Sequence, residues 1–284
     1  MRFNGQATDI IDCHCHAGPG DGFHGPWDTD APLNLYLRRA DAAGIRRTVI
    51  FAPLHLDYAK ANRKTAEIVA SDPRRFIGFA FVHADRDRGR IAAMVRIAVE
   101  RYGFRGIKAH RHDARLTREI CEAARDHDVP ILYDVVGDVP SIDLFAPQYP
   151  TVRFIIPHLG SFSDDHRAQQ AIADTLVRYP NVYTDTSGVR RFDLLLNVIR
   201  RAGASKVLFG SDGPWLHPGV ELAKVRALGL DAAGFRAVTS NNVIKVCKLG
   251  SRTRPLLSTS QMPTKKQSVT TTSVNFVPDL AEAW

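Results

Sequence analysis

Ile10-Ile11-Asp12-Cys13-His14-Cys15-His16 reads as an apolar strand that ends in two histidines one residue apart. Side chains of a strand alternate between its faces, so this spacing sends His14 and His16 to one side and Cys13 and Cys15 to the other. Two imidazoles projecting together from a strand end supply half of a metal site. Thiolate ligands would need to share the face of the histidines, so Cys13 and Cys15 are expected to pack between strand and helix.

Outward from this strand the chain repeats one plan, an apolar strand followed by an amphipathic helix, at the interval of about 30 residues that βα units require. The spacing predicts strands over residues 9–16, 48–52, 76–82, 106–110, 130–136, 152–157, 181–185 and 206–210. Helices are expected around 33–37 and over 59–70, 91–102, 117–126, 165–178, 192–201 and 220–228, with only a short, weak one near 142–145. Eight strands of continuous apolar character, alternating with helices, indicate an α/β fold of the (β/α)8 TIM-barrel type. An open doubly wound sheet is the alternative, disfavoured because no Gly-x-Gly-x-x-Gly turn follows any strand. An extra helix is expected over 232–249, which closes a barrel domain at 1–250. From Ser251 onward Ser, Thr, Gln, Lys and Pro dominate and apolar periodicity is lost, so 251–284 is expected to be a disordered low-complexity tail.

The 284 residues, 44% hydrophobic and 24% charged, fit a globular protein with a large core. No run approaches the roughly 18 uncharged apolar residues of a membrane span, and Met1 to Gln6 show no signal-peptide h-region, so the expected location is cytoplasmic. Two of the four cysteines share a strand and Cys121 and Cys247 are isolated, which does not suggest a disulfide framework. The net charge of +8 is spread over helices as pairs such as Arg38-Arg39 and Arg200-Arg201, the pattern of solvated faces rather than of a nucleic-acid footprint. A small-molecule substrate is therefore the expected partner, and a homodimer is compatible with the sequence.

Reacting groups of a parallel barrel sit at the carboxyl ends of its strands. Here those ends carry His14 and His16, Lys108 and His110, Asp134, His158, Asp185 and Ser187, and Asp212. Nitrogen and oxygen donors of this mix suit Zn²⁺, with Mn²⁺ or Fe²⁺ as alternatives. His14, His16 and Asp212 as ligands leave a position open for water, whose pKa such a metal lowers from about 15.7 toward about 7. Asp212 is placed to take the water's proton and pass it to a leaving group. His158 is placed to polarise a substrate carbonyl or to ligate.

These stretches resemble the amidohydrolase superfamily, in particular the branch of metal-dependent hydrolases that includes aminocarboxymuconate-semialdehyde decarboxylase. The resemblance rests on Ile-Asp-Cys-His-Cys-His (11–16), Gly-Ile-Lys-Ala-His (106–110), Ile-Pro-His-Leu-Gly (156–160) and Leu-Phe-Gly-Ser-Asp-Gly-Pro-Trp (208–215), and on Asn241-Asn242 in the closing helix. It runs in order over residues 8–250. It implies a barrel, a mononuclear divalent metal, ligands at His14, His16 and Asp212, and a catalytic or metal-binding role for His158. Where the family usually ends strand 5 in a histidine ligand, this chain has Asp134, whose carboxylate is an acceptable ligand or a supporting group; a site completed by His110, or one without metal, is the other reading. Lysines bridge two metals in some branches of the superfamily, but Lys108 is expected to pack or to contact substrate. Asp185 and Ser187 are expected to support the ligands or cap loops.

Substrate contacts are expected from Lys108 and His110 and from the loops after the strands: Phe23, His24 and Trp27, then Arg190 and Arg191, then Trp215 and His217. Arginine beside the mouth suits a carboxylate. The leading expectation is hydrolysis of an amide, ester or lactone bond. Non-oxidative decarboxylation of a small aromatic acid by the same ligands is the runner-up, and a degenerate, non-catalytic barrel is the third reading.

Overall fold

Eight parallel strands follow one another in chain order around the sheet: β1 (Ile10–His16), β2 (Ile45–Phe51), β3 (Phe76–Phe81), β4 (Gly106–His110), β5 (Ile131–Asp134), β6 (Phe154–Ile156), β7 (Val182–Asp185) and β8 (Val207–Leu208). This computed structural model describes residues 9–23, 29–162 and 165–250. The expected tail, the N-terminal residues before Asp9, and His24 and Trp27 lie outside the described residues. β8 has only two residues, yet the barrel closes beyond it: Cys13 N donates to Phe209 O (2.9 Å), Asp212 N to His14 O (2.8 Å) and His16 N to Gly213 O (2.7 Å). The (β/α)8 barrel expected from the strand–helix repeat is the fold.

The helices that alternate with the strands among the described residues are α1 (Leu33–Ala43), α2 (Tyr58–Ser71), α3 (Ile91–Glu100), α4 (Arg118–His127), α5 (His166–Arg178) and α6 (Phe192–Ala202), and α7 (Pro218–Ala227) comes next after β8. Local chemistry sets several of their ends. Asp57 accepts from Lys60 N (2.9 Å) at the start of α2, and Asp165 accepts from Arg167 N (2.9 Å) and Ala168 N (3.1 Å) at the start of α5. After β5 the connection is a single 3-10 segment, Val139–Leu144, as the weak pattern there suggested. The closing helix is not one piece: α8 (Ala232–Arg236) and α9 (Asn242–Cys247) are joined by a π-helical turn at Ala237–Asn241.

The core has two layers. Val49, Phe51, Phe79, Phe81, Leu132 and Leu208 fill the barrel, and Val243, Val246 and Cys247 of α9 belong to the same buried cluster. α9 thus covers the end of the barrel opposite the strand carboxyl termini. Asn242 pins it, donating to Ala204 O (2.8 Å) and Val207 O (2.7 Å) beside β8.

β1 breaks strict alternation. Asp12 pairs with Thr48 and Cys15 with Ile50, three residues against two, so the strand carries a β-bulge across Cys13 and His14. The expectation that both cysteines face outward is corrected: Cys15 lies in the outer cluster with Tyr36 of α1, whereas Cys13 lies in the cluster that fills the barrel. All four cysteines are buried thiols.

Candidate metal centre

Three imidazoles are anchored in the same way. His14 Nδ1 donates to Asp185 Oδ2 (2.8 Å), His16 Nδ1 to Ala52 O (3.1 Å) and His158 Nδ1 to Ser187 O (2.8 Å). A carboxylate or a carbonyl can only accept, so each Nδ1 carries a proton and each Nε2 turns inward. His14 Nε2 and His16 Nε2 both lie 3.4 Å from Asp212 Oδ1. That separation is long for a hydrogen bond. It matches a coordination edge, since two ligands about 2.1 Å from one ion at the tetrahedral angle stand about 3.4 Å apart. His14, His158 and Asp212 also offer ligand atoms within 4.8 Å of one another. The donor set therefore fits a divalent metal.

Asp134, at the end of β5, stands opposite. Its Oδ2 is 3.3 Å from His110 Nε2 and 3.5 Å from His158 Nε2, and its Oδ1 accepts from Val136 N (2.9 Å). His110 has the reverse orientation of the other three rings: its Nδ1 accepts from His112 N (3.0 Å), so its Nε2–H points at Asp134.

Burial and these contacts set the charges. Burial lowers the His14 imidazole and pushes His16 down to about 4, so both are neutral at neutral pH. Burial would lower His158 too, but the adjacent Asp134 carboxylate outweighs it and raises the group to about 9. Burial pushes the carboxyls of Asp134 and Asp212 upward, yet the surrounding histidines hold both below the usual range. Asp185 behaves likewise: against burial, His14 and the donors Ser187 N (3.0 Å) and Oγ (2.6 Å) keep it ionised. Asp212 and His158 both have left-handed backbones, φ 57° and 60°, held by hydrogen bonds from their N–H groups to His14 O and to Asp185 Oδ1 (3.1 Å).

Above these groups lies a cavity of about 120 Å³. Lys108, His110 and His112 form its polar side, and Leu54, Val136, Phe162 and Trp215 its apolar side. Lys108 is 1% exposed, its ammonium 5.0 Å from the centre of the Phe51 ring, and burial lowers its pKa against the pull of Asp134, Asp212 and Asp185. The Trp215 ring lies 4.4 Å from that of His16.

Of the residues singled out from sequence, His14, His16, Lys108, His110, Asp134, His158, Asp212 and Trp215 line this one cavity. Asp185 and Ser187 stand behind it as supports. Arg190 does not join them: it is exposed, and so are Phe23, Arg191 and His217. The cavity residues Leu54, Val136 and Phe162 were missed because apolar residues just beyond a strand read as core; His112, two residues after His110, carried a usable signal.

Imidazole and carboxylate donors gathered at the carboxyl mouth of a parallel barrel define a class of barrels made to hold a divalent metal. The chain belongs to the amidohydrolase family, whose sequence model matches residues 11–247. Among solved structures it is similar to a zinc-bound amidohydrolase from Burkholderia multivorans (15% identity, TM-score 0.71, covering 84% of this chain and 99% of that one). It is also similar to 2,6-dihydroxybenzoate decarboxylase from Rhizobium (18%, 0.63, 85% and 99%) and to 5-carboxyvanillate decarboxylase from Sphingomonas paucimobilis (13%, 0.65, 85% and 99%). At such identities the likeness is one of fold. No curated protein sequence matches the chain.

Proposed function

We propose that the protein is a metal-dependent enzyme that removes the carboxyl group of a small single-ring acid as carbon dioxide, without oxidation. The observation that carries this reading is the convergence of three anchored imidazoles and two ionised carboxylates beneath a cavity of about 120 Å³ with an apolar wall. That volume is on the scale of the roughly 150 Å³ cavity that accommodates benzene. The reactions named for the dihydroxybenzoate and carboxyvanillate decarboxylases of the same fold support it.

His14, His16 and Asp212 would hold the metal, Zn²⁺ or alternatively Mn²⁺ or Fe²⁺, with His158 and Asp134 beside it. When bound, the ion supplies Lewis acidity toward an anionic oxygen of the substrate. The Lys108 ammonium adds a second positive charge for the carboxylate or a ring oxygen, and the apolar wall with Trp215 excludes water from the ring. His158 holds a proton at Nε2, beside Asp134 Oδ2. As the bond between ring and carboxylate breaks, its electron pair stays on the ring carbon, which takes that proton while carbon dioxide leaves. His110 Nε2–H helps keep Asp134 ionised, and beside that carboxylate His158 regains its proton from solvent after carbon dioxide leaves.

Hydrolysis of an ester, amide or lactone is the second reading, favoured by Asp212, an ionised carboxylate at the cavity edge able to take a proton from water. The test is to load purified protein with Zn²⁺ or Mn²⁺ and offer ring acids, including hydroxybenzoates, and lactones in D₂O. Carbon dioxide release with one deuterium on the ring supports decarboxylation; acid formation without carbon dioxide assigns hydrolysis. Protein that retains and accepts no metal overturns both, and metal retention with neither product leaves the non-catalytic barrel.

A further inference from the structure

We propose that Asp12, which lies outside the cavity, is a positioning residue that locks the metal-site residues of β1 and the β8 end to each other. The inference rests on the metal-site reading above. Asp12 is wholly buried and, because of the bulge, faces the outer layer rather than the barrel. One carboxylate there collects four donors. Oδ1 accepts from His14 N (3.1 Å) and Ser211 N (2.9 Å), and Oδ2 from Tyr36 OH (2.7 Å) and Ser211 Oγ (2.5 Å). Ser211 Oγ in turn accepts from Gly213 N (3.0 Å).

The backbone of His14 and the residues on both sides of Asp212 are therefore tied to one side chain. Asp212 itself adds the return link, its N–H bonded to His14 O (2.8 Å). Its left-handed backbone is a conformation that persists only where the surroundings impose it. A β8 of two residues provides little regular pairing to impose it, and the Asp12 bonds replace that pairing. The carboxylate thus sets the 3.4 Å spacing of His14 Nε2 and Asp212 Oδ1 from behind.

The test compares wild type with Asp12→Ala, Asp12→Asn and Thr48→Val, reading the zinc dissociation constant by chelator competition and the visible spectrum of the Co²⁺-loaded protein. Supporting groups of this kind typically change metal affinity 10- to 100-fold when removed. Asp12→Ala is expected to weaken zinc by that factor and to alter the cobalt bands. Asp12→Asn keeps an acceptor for the two backbone N–H groups and is expected to restore most of the affinity, which separates geometry from charge. Among the described residues Thr48 Oγ1 reaches only Tyr36 OH (2.9 Å), at the far side of the same network, so Thr48→Val should lower stability and leave both readouts unchanged. Asp12→Ala with wild-type affinity and cobalt spectrum overturns the proposal. Should that variant not fold, Ser211→Ala, which removes the hydroxyl linking Asp12 to Gly213, is read in its place, and unchanged affinity there has the same meaning. Wild type that takes up neither zinc nor cobalt defeats the metal-site reading itself, and this inference with it.

Discussion

Asp185 joins His14 of β1 to His158 just beyond β6, accepting from His14 Nδ1 on one oxygen and from the His158 backbone N–H on the other. Its charge matters because of what it dictates about His14: a carboxylate partner keeps the proton on Nδ1, so that Nε2 stays free. An asparagine at 185 has one acceptor oxygen for these donors and presents N–H to the rest, which favours the His14 tautomer with its proton on Nε2. Asp185→Asn is therefore expected to fold and to lose metal affinity by about 10- to 100-fold. Zinc content after dialysis, with circular dichroism as the check on folding, measures it. The ligands themselves should be more severe: His14→Ala or Asp212→Ala protein should carry no stoichiometric metal in elemental analysis.

At the scale of elements, the closing helix does more than end the chain of βα units. α9 inserts Val243, Val246 and Cys247 into the barrel's own cluster, and Asn242 bonds two carbonyls near the start of β8. Asn242→Ala leaves two carbonyls without that donor, Val207 O fully buried, and is expected to cost about 1–3 kcal/mol, read as a lower denaturant midpoint with unchanged slope. Much of this architecture was legible. The apolar runs located every strand, because a strand covered on both faces has no polar side to disguise it. Other features were not. The bulge in β1 contains no glycine to announce it, and the π turn at Ala237–Asn241 falls inside a pattern that any helix would satisfy. The site followed the same rule: His14, His16 and Asp212 stand in short polar motifs, while Leu54, Val136 and Phe162 owe their place to the paths of connecting loops. Arg190, chosen for its charge near a strand end, is exposed and does not line the cavity.

For the whole molecule, two of the clustered histidines contribute pH-dependent stability of opposite sign to the metal-free protein. His16 is lowered from 6.5 to about 4, so the unfolded chain binds the extra proton first. Its contribution is fully present above pH 6.5 and is lost as pH falls toward 4, about 3 kcal/mol in all. His158 is raised from 6.5 to about 9, so the folded protein holds the extra proton; that contribution is present below pH 6.5 and lost as pH rises toward 9. Asp12, raised by burial to about 7, and Lys108, lowered by burial, also titrate in the folded protein, so the two contributions are read as differences between wild type and variants in thermal melting of metal-free protein from pH 4 to 9. The advantage of wild type over His16→Asn should grow from pH 4 to 6.5 and its advantage over His158→Asn should shrink from pH 6.5 to 9, and differences that do not change with pH would contradict both assignments.

The bulge in β1 also sorts charge between two compartments. In a regular strand Asp12 and His14, two residues apart, would share a face, and the same seven residues would bring a further carboxylate into the barrel and turn Ile11 out of it. One additional residue on β1 relative to β2 shifts the parity midway, so the acid and the imidazole separate. In this chain Asp12, two positions before the inward His14, lies on the other side of the strand, so Asp12-x-His14-x-His16 spans a change of side.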